Sequence, residues 1–332
     1  MRKLEFRAET ITPLVIAGAD NRNPVLCAEG LRVPSLRGVM RWWFRAMMGG
    51  IVGCDASDRY EALRAAETAV FGATERKSCF RLLSSSPTIA RGSDNAYLCM
   101  NDCRSRASGA GKDYDKIKRS CLPPGTTVTL RMTATNRDSK SFCLAMSSLW
   151  LLSTLGGVGG RNRRGFGSIA LTPGGSLQSM KLEFGFPEAT LSEIASRLSS
   201  DLQTIHCLFA KSRQNQQGQS NPQFGTLSRG GARLYLLRPR TGFWSTWDAA
   251  MRDLRDDVYR AYKTRKGLRE IGSARPRCAS PLIIQIKRSG RDKYFGVLLA
   301  FENEKYFGRG WTALATFLNS LTNYECVEVP IP

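Results

Sequence analysis

Alternating and helical patterns of apolar residues divide the chain into two successive groups of predicted elements. In the first group, strands are predicted over 3–16, 79–84, 95–100, 126–134 and 168–172. Helices are predicted over 35–48, 59–71 and 139–155, and Gly156 ends the last of them. Residues 101–125 are polar and punctuated by glycine and proline, which predicts a loop or an insertion.

The second group opens with a predicted strand over 180–186 and closes with one over 324–329. Between them the pattern predicts helices over 189–209, 243–265 and 310–321, a loop over 210–232, a strand over 233–237 and a β-hairpin over 281–301. Each group thus mixes several strands with about two helices. This predicts an α+β fold of two ferredoxin-like domains, 1–175 and 176–332, each an antiparallel sheet with helices packed on one face.

The net charge of the chain limits the kinds of partner that it is expected to bind. The formal net charge is +21 at pH 7 and the sequence pI is about 10.0, far beyond what solubility needs. Lysine and arginine also occur in long windows without any aspartate or glutamate: 30–54, 139–182, 202–247 and 271–291. This distribution predicts a continuous basic surface. Its partner is expected to be a polyanion, with nucleic acid ahead of an anionic membrane.

The ten cysteines and the single histidine give little support for a metal site. There is no CxxC pair, and the closest two cysteines, Cys99 and Cys103, form a single CxxxC. We therefore expect no metal, no cofactor, and reduced thiols in a cytoplasmic protein. The first residues lack the apolar core of a signal peptide, and no apolar run approaches the roughly 18 residues of a membrane span.

The predicted helix 35–48, SLRGVMRWWFRAMM, carries its charge on one stripe. Arg37, Arg41 and Arg45 are spaced four residues apart and lie on the same side, while the remaining positions are mostly apolar. Three interpretations fit: a core helix whose arginines reach solvent or acids, a membrane-surface helix, and a wall that binds an anion. A membrane-surface helix needs a wider polar face and more lysine. Since no acid is near in sequence, we favour an arginine stripe that lines a phosphate path.

Four further residues of this helix belong to the candidate site. Ser35 is placed to cap the helix N-terminus, and Gly38 in the first turn leaves the backbone open to close approach. Trp42 and Trp43 are more typical of a core, although one ring is a candidate for stacking on a base.

A second candidate lies in GGVGGRNRRGFGS, residues 156–168. Glycines permit positive φ, so successive backbone N–H groups can face a phosphate, while arginines add bidentate contacts and a phenylalanine can stack on a base. The residues that carry this interpretation are Gly157, Gly159, Gly160, Arg161, Asn162, Arg163, Arg164 and Phe166. The alternative is a flexible glycine linker, which has no need for arginines and an aromatic ring at its centre.

Together these segments resemble the RAMP superfamily of CRISPR proteins, whose members carry ferredoxin-like (RRM-like) domains and a basic glycine-rich loop. TITPLVIAGADN (10–21) and LRVPSLRGVMRWWFRAM (31–47) are similar to the N-terminal signature of the Cmr-complex subunits found at the 3′ end of the guide RNA in type III-B effectors. RPRCASPLIIQIKR (275–288) resembles the C-terminal domain of the same family. Through this resemblance Asn21, Arg275 and Arg277 join the candidate RNA-binding residues.

The resemblance implies a non-catalytic, RNA-holding subunit of a type III-B CRISPR (Cmr) effector complex in antiviral defence. Its expected partners are the 3′ region of the guide RNA (crRNA), the complementary target RNA and other Cmr subunits, especially a neighbouring RAMP subunit, with no membrane involved. One alternative is a metal-independent RAMP endoribonuclease that processes guide precursor, with His206 as general acid or base. Another is a basic structural protein of a different ribonucleoprotein. The first interpretation requires the stripe on 35–48 and the loop 156–168 to converge on one ribose-phosphate chain.

Overall fold

The computed structural model describes most of the chain in ten stretches. These are residues 3–15, 31–52, 57–89, 96–97, 119–136, 138–175, 182–211, 224–254, 280–302 and 311–332.

Over its described residues, the first half forms a four-stranded antiparallel sheet, a separate pair of short strands and three helices. In chain order its elements are β1 (Lys3–Thr10), α1 (Val33–Val52), α2 (Ser57–Phe71), β2 (Phe80–Ser84), β3 (Ala96–Tyr97), β4 (Arg119–Ser120), β5 (Thr127–Ala134), α3 (Ser139–Leu155) and β6 (Ile169–Pro173). The sheet order is β2-β5-β1-β6, and β3 pairs with β4 apart from it. Buried and exposed positions alternate along these strands, so one sheet face packs on helices and the other faces solvent.

The second half repeats this arrangement. Its elements are α4 (Leu191–Ala210), β7 (Ala232–Pro239), α5 (Trp247–Asp253), β8 (Leu282–Ser289), β9 (Lys293–Phe301), α6 (Thr312–Asn319) and β10 (Tyr324–Val329). The sheet order is β10-β7-β9-β8, again antiparallel. In both sheets the last strand lies beside the first, and the third lies between the first and the second. This is the ferredoxin-like arrangement, and the predicted α+β fold is confirmed.

Both faces of the second sheet are covered, because the side chains of β8 and β9 are buried at nearly every position rather than at alternate ones. One face shares a core with α1, α3, α4 and the first sheet, in which Phe6, Phe44 and Val297 take part. The other face packs on α5 and α6 through residues such as Ile284 and Leu298. The two sheets therefore share one core. The domain boundary between 175 and 176 stays a prediction.

Helix α1 starts earlier than predicted. The Leu36 N–H donates to the Arg32 carbonyl at 3.0 Å, so the helix begins at Val33 and Ser35 lies inside its first turn. The prediction of Ser35 as the cap is therefore wrong. Pro34 explains the early start, because a proline in the first turn lacks only an N–H that would have no helical partner.

The predicted strand 180–186 is also wrong over the described residues 182–186, which form only a single bridge between Phe186 and Ser289. Side chains from the flanking helices donate hydrogen bonds to the backbone carbonyls there, so these carbonyls do not pair with a neighbouring strand. Trp150 Nε1 donates to the Glu183 carbonyl at 2.8 Å, and Arg197 donates to the Gly185 carbonyl. Helix α5 ends at Asp253, and most of the remaining predicted helix up to 265 lies outside the described residues.

Asp201 on α4 is a buried carboxylate. It is 6% exposed, and its Oδ2 has no hydrogen-bond partner among the described residues. Burial raises its pKa to about 7; Arg197, whose Nε lies 4.0 Å from Oδ2, opposes this shift and Glu183 adds to it. Because the native state holds this proton more tightly than the unfolded state, ionisation destabilises the fold progressively from about pH 4 to pH 7, and the full penalty persists above pH 7.

Asp201→Asn should therefore raise the free energy of unfolding more at pH 8 than at pH 4.5, with a gain on the order of 2 to 4 kcal/mol at pH 8. Urea unfolding at both pH values measures this. Asp138 is the control of opposite sign, because hydrogen bonds from Ser141 and Lys140 at the start of α3 lower its pKa. Asp138→Asn should lose stability at pH 8. A pH-independent effect of Asp201→Asn would contradict the assignment.

Candidate nucleic-acid interface

The arginine stripe of α1 faces α2. Arg45 Nη2 lies 2.8 Å and Arg41 Nη1 3.3 Å from Glu67 Oε1, and Arg45 Nε also donates to Glu67 Oε2. Arg41 Nη2 donates to the carbonyls of Phe71 and Gly72 at 3.1 and 2.9 Å, and Arg37 Nη2 donates to the Phe71 carbonyl at 2.8 Å. Arg37 and Arg41 therefore cap the C-terminus of α2, where helical carbonyls lack intrahelical partners.

For Arg41 and Arg45 these contacts bear out the alternative in which arginines of the stripe pair with an acid from elsewhere in the chain. Glu67 is 7% exposed and lies on the next helix, outside the acid-free window of the sequence. Its hydrogen bond raises the pKa of Arg45, whereas burial, followed by the charge of Arg41, lowers the pKa of Arg37. Arg37 thus contacts the C-terminus of α2 and the Phe80 ring, whose centre lies 4.9 Å from its guanidinium carbon. Arg41 and Arg45 keep side-chain exposures of 36% and 50%.

The glycine-arginine loop, residues 156–168, is hydrogen-bonded both to the segment that follows β1 and to strand β8. The N–H groups of Gly160 and Gly167 donate to the carbonyls of Val15 and Pro13 at 2.8 and 3.0 Å. The Gly165 N–H donates to the Ile284 carbonyl on β8 at 2.7 Å. These three donors are directed at protein rather than at solvent, so the prediction of a backbone phosphate cradle is wrong for them.

The glycines of this loop permit close packing. A Cβ on Gly156 would lie 2.6 Å from Trp43 Nε1, and a Cβ on Gly157 would lie 2.7 Å from Gln285 Nε2. Gly159 has φ +80, and a Cβ there would overlap the Val15 carbonyl oxygen. The loop is therefore packed closely against its neighbours and is not a flexible linker. The contact between Gly156 and Trp43 also joins it directly to α1.

Three aromatic predictions have different outcomes. Phe166 is 8% exposed beside Val15 and Cys121, and Trp43 is 1% exposed in the shared core. Neither ring offers a face on which a base could stack, so the stacking prediction is wrong for Phe166, whereas the core position favoured for Trp43 is confirmed. Trp42 is half-buried, with its ring edge-on to Trp43.

Arg163 meets Arg41 and Arg45 of the stripe in one cleft of about 920 Å³, and Arg37 does not line it. The Arg163 guanidinium lies 6.0 Å from the centre of the Trp42 ring and donates from Nη1 to the Ser280 carbonyl at 2.6 Å. Burial lowers its pKa, and no ion pair joins it to a carboxylate of the described stretches. The lining carries four arginines and two glutamates: Arg41, Arg45, Arg64, Arg163, Glu67 and Glu302. The cleft is therefore basic.

The cleft also contains residues that the sequence did not single out. Tyr60 and Arg64 lie four residues apart on α2, and both are exposed at its rim. Phe224 and Phe301 line it from the second half of the chain. An exposed tyrosine one turn before an arginine is a usable signal on a predicted helix. No sequence signal marked Phe224 and Phe301, because only the folded structure brings them close to α1.

The other predicted residues are distributed as follows. Gly38 and Arg164 are exposed, Arg161 and Asn162 are half-buried, and none of these four lines the cleft. Asn21, Arg275 and Arg277 lie outside the described residues. His206 lies half-buried on α4 and is absent from the cleft lining, and burial lowers its pKa. Across the described stretches no cluster of acidic, cysteine or histidine side chains could hold a metal ion, and no helix could cross a bilayer.

Two strand-helix-strand-strand-helix-strand units with one core and a basic cleft define a tandem ferredoxin-like protein. Residues 7–170 match the family model of the RAMP superfamily. Over 183 residues the chain is 34% identical to the CRISPR system Cmr subunit Cmr1-2 of Pyrococcus furiosus. This match covers 49% of this chain and 92% of that relative. The chain belongs to the RAMP superfamily, in the family of Cmr1 subunits.

Two solved structures share the fold. The crystal structure of Cmr1 from Pyrococcus furiosus, in its apo form, has a TM-score of 0.65 at 22% identity and covers 99% of both chains. A chain in the cryo-EM structure of type III-B Cmr-β bound to cognate target RNA has a TM-score of 0.55 at 12% identity, covering 97% of this chain and 99% of that one. At these identities the likeness establishes the fold alone.

Proposed function

We propose that this chain is a non-catalytic, RNA-holding subunit of a type III-B CRISPR (Cmr) effector complex. In this role it grips the 3′ region of the guide RNA where the guide meets its target, and it docks on a neighbouring RAMP subunit. The names of its relatives support membership of such a complex, and one structure of the same fold is bound to cognate target RNA.

The observation that carries the RNA assignment is the convergence of Arg163 with Arg41, Trp42 and Arg45 in one cleft. Arginine forks match phosphate oxygens bidentately. The excess of arginine over glutamate in the lining favours a polyanion, and the partly exposed aromatic rings offer stacking surfaces to unpaired bases. Such a grip reads backbone and shape, as a protein that accepts any guide sequence requires.

The size of the cleft favours an unpaired strand. A volume of about 920 Å³ is that of a small-molecule site and takes a few nucleotides. This volume fits a strand end better than an A-form helix, so we expect the paired region to lie outside the cleft. With His206 absent from the lining, the geometry favours holding RNA over cutting it.

Tyr60→Ala tests the assignment. Tyr60 is 46% exposed at the rim, and loss of its ring should weaken binding of single-stranded RNA of about 12 nucleotides by about tenfold. Leu83→Ala is the matched control, because Leu83 is 41% exposed on the sheet face away from the cleft.

Fluorescence anisotropy over a salt series measures both variants, with the same RNA as single strand and as duplex. The proposal expects the duplex to bind more weakly, and gels of the same samples to show intact RNA. Equal affinity for both RNA forms, equal losses in both variants, or specific cleavage would each count against it.

A further inference from the structure

Strand β8 presents buried polar side chains to the shared core. Gln285 and Ser289 are 0% exposed and Lys287 is 2% exposed, and all three project from the same side of the strand. Burying a polar group at such depth costs free energy unless it is hydrogen-bonded. Gln285 and Lys287 donate hydrogen bonds to the end of α3 and to the glycine-arginine loop.

Lys287 holds the start of that loop. Its Nζ donates to the carbonyls of Ser153 and Gly156 at 2.6 and 2.8 Å, in the last turn of α3 and at its cap. No described carboxylate forms an ion pair with this ammonium, and the negative end of the α3 dipole supplies the compensating charge. Burial nevertheless lowers the pKa of Lys287 to about 7.

Gln285 and the β8 backbone hold the centre of the loop. Gln285 Nε2 donates to the carbonyls of Asn162 and Phe166, the second at 3.4 Å. The Ile284 N–H donates to the Arg163 carbonyl at 3.1 Å, and the Gly165 N–H donates back to the Ile284 carbonyl. Arg163 is thereby fixed to β8 through its own backbone, between the two attachments of Gln285.

We propose that Lys287 and Gln285 are positioning residues for RNA binding: they set the path of the loop so that the Arg163 guanidinium enters the cleft. Neither side chain lines the cleft. Strand β8 of the second sheet therefore controls a binding group that comes from the first half of the chain. This inference rests on the proposed function, because it concerns the same cleft.

The test compares Lys287→Met and Gln285→Met with Ser289→Ala in the full chain. Both methionine variants remove loop hydrogen bonds at nearly constant length, and the second does so without a change of charge. Ser289→Ala removes a buried hydrogen bond of 2.6 Å to the Pro187 carbonyl, on the same strand but away from the loop. We expect about tenfold weaker binding of single-stranded RNA for each methionine variant and less than about twofold for Ser289→Ala.

Each variant is also made in an Arg163→Ala background. If the methionine variants act through Arg163, they should add little to the loss that Arg163→Ala causes alone. Additive losses, wild-type affinity of the folded methionine variants, or an equal loss in Ser289→Ala would overturn the inference. Should Lys287→Met fail to fold, by circular dichroism, Gln285→Met decides. Wild-type affinity of Arg163→Ala itself would instead contradict the proposed function.

Discussion

Charge reversal at Arg163, by Arg163→Glu, should weaken binding of single-stranded RNA by at least about thirtyfold. The change removes a guanidinium that projects into the cleft over Trp42 and places a carboxylate among Arg41, Arg45 and Arg64. The slope of log affinity against log salt should also fall by about 0.7, the value for one phosphate contact on a single strand. Anisotropy titrations over a salt series give both quantities.

Arg164→Glu is the matched control for this experiment. It makes the same charge change at the next residue, but Arg164 is exposed and does not line the cleft. Only the screened, long-range part of the effect should remain, which amounts to a loss of a few-fold at about 0.15 M salt. Equal losses in the two variants would show that total charge, rather than the cleft, determines RNA binding.

Gly167→Ala should be among the most destabilising single substitutions in the chain, lowering the free energy of unfolding by about 3 to 5 kcal/mol. Gly167 has φ +68, and a Cβ there would overlap the carbonyl oxygen of Val158. Relief requires moving a backbone that is hydrogen-bonded on both sides: the Gly167 N–H donates to Pro13, and the Gly167 carbonyl accepts from Val158 at 2.8 Å. Urea denaturation measures the loss.

Gly230→Ala separates the two causes of this expected loss. Gly230 has a similar conformation, φ +87, but a Cβ there would have no atom within 4 Å. The left-handed backbone alone should therefore reduce stability by about 1 kcal/mol. If both variants lost the same free energy, the close approach of Val158 would have no energetic role.

Elements determined by local pattern were predictable from the sequence. Helix α3 has the predicted bounds, 139–155, because an apolar run ends at a glycine, and β10 coincides with the alternating segment 324–329. The hairpin of β8 and β9 was marked by its glycine turn. The segment 182–186 was not predictable, because its carbonyls are taken by Trp150 and Arg197, from helices before and after it.

The candidate site was predictable only in part, for a similar reason. A helical wheel identifies the stripe of Arg37, Arg41 and Arg45. It cannot show that Glu67 contacts this stripe, because that contact depends on how α2 packs against α1. The loop stood out by composition. Which of its arginines enters the cleft is decided by β8, more than a hundred residues away in sequence, through the backbone pairing of Arg163 with Ile284.

The glycine-arginine loop is hydrogen-bonded to both halves of the molecule, to Pro13 and Val15 on one side and to Ile284 on the other. A rotation of one sheet relative to the other must therefore displace Arg163 or break these bonds. Under the proposed function, a neighbour whose docking favours such a rotation would change the affinity of the cleft for RNA, and RNA would change the affinity of that docking by the same factor. The proposed function thus implies that complex assembly and RNA binding are coupled equilibria, connected through the glycine-arginine loop.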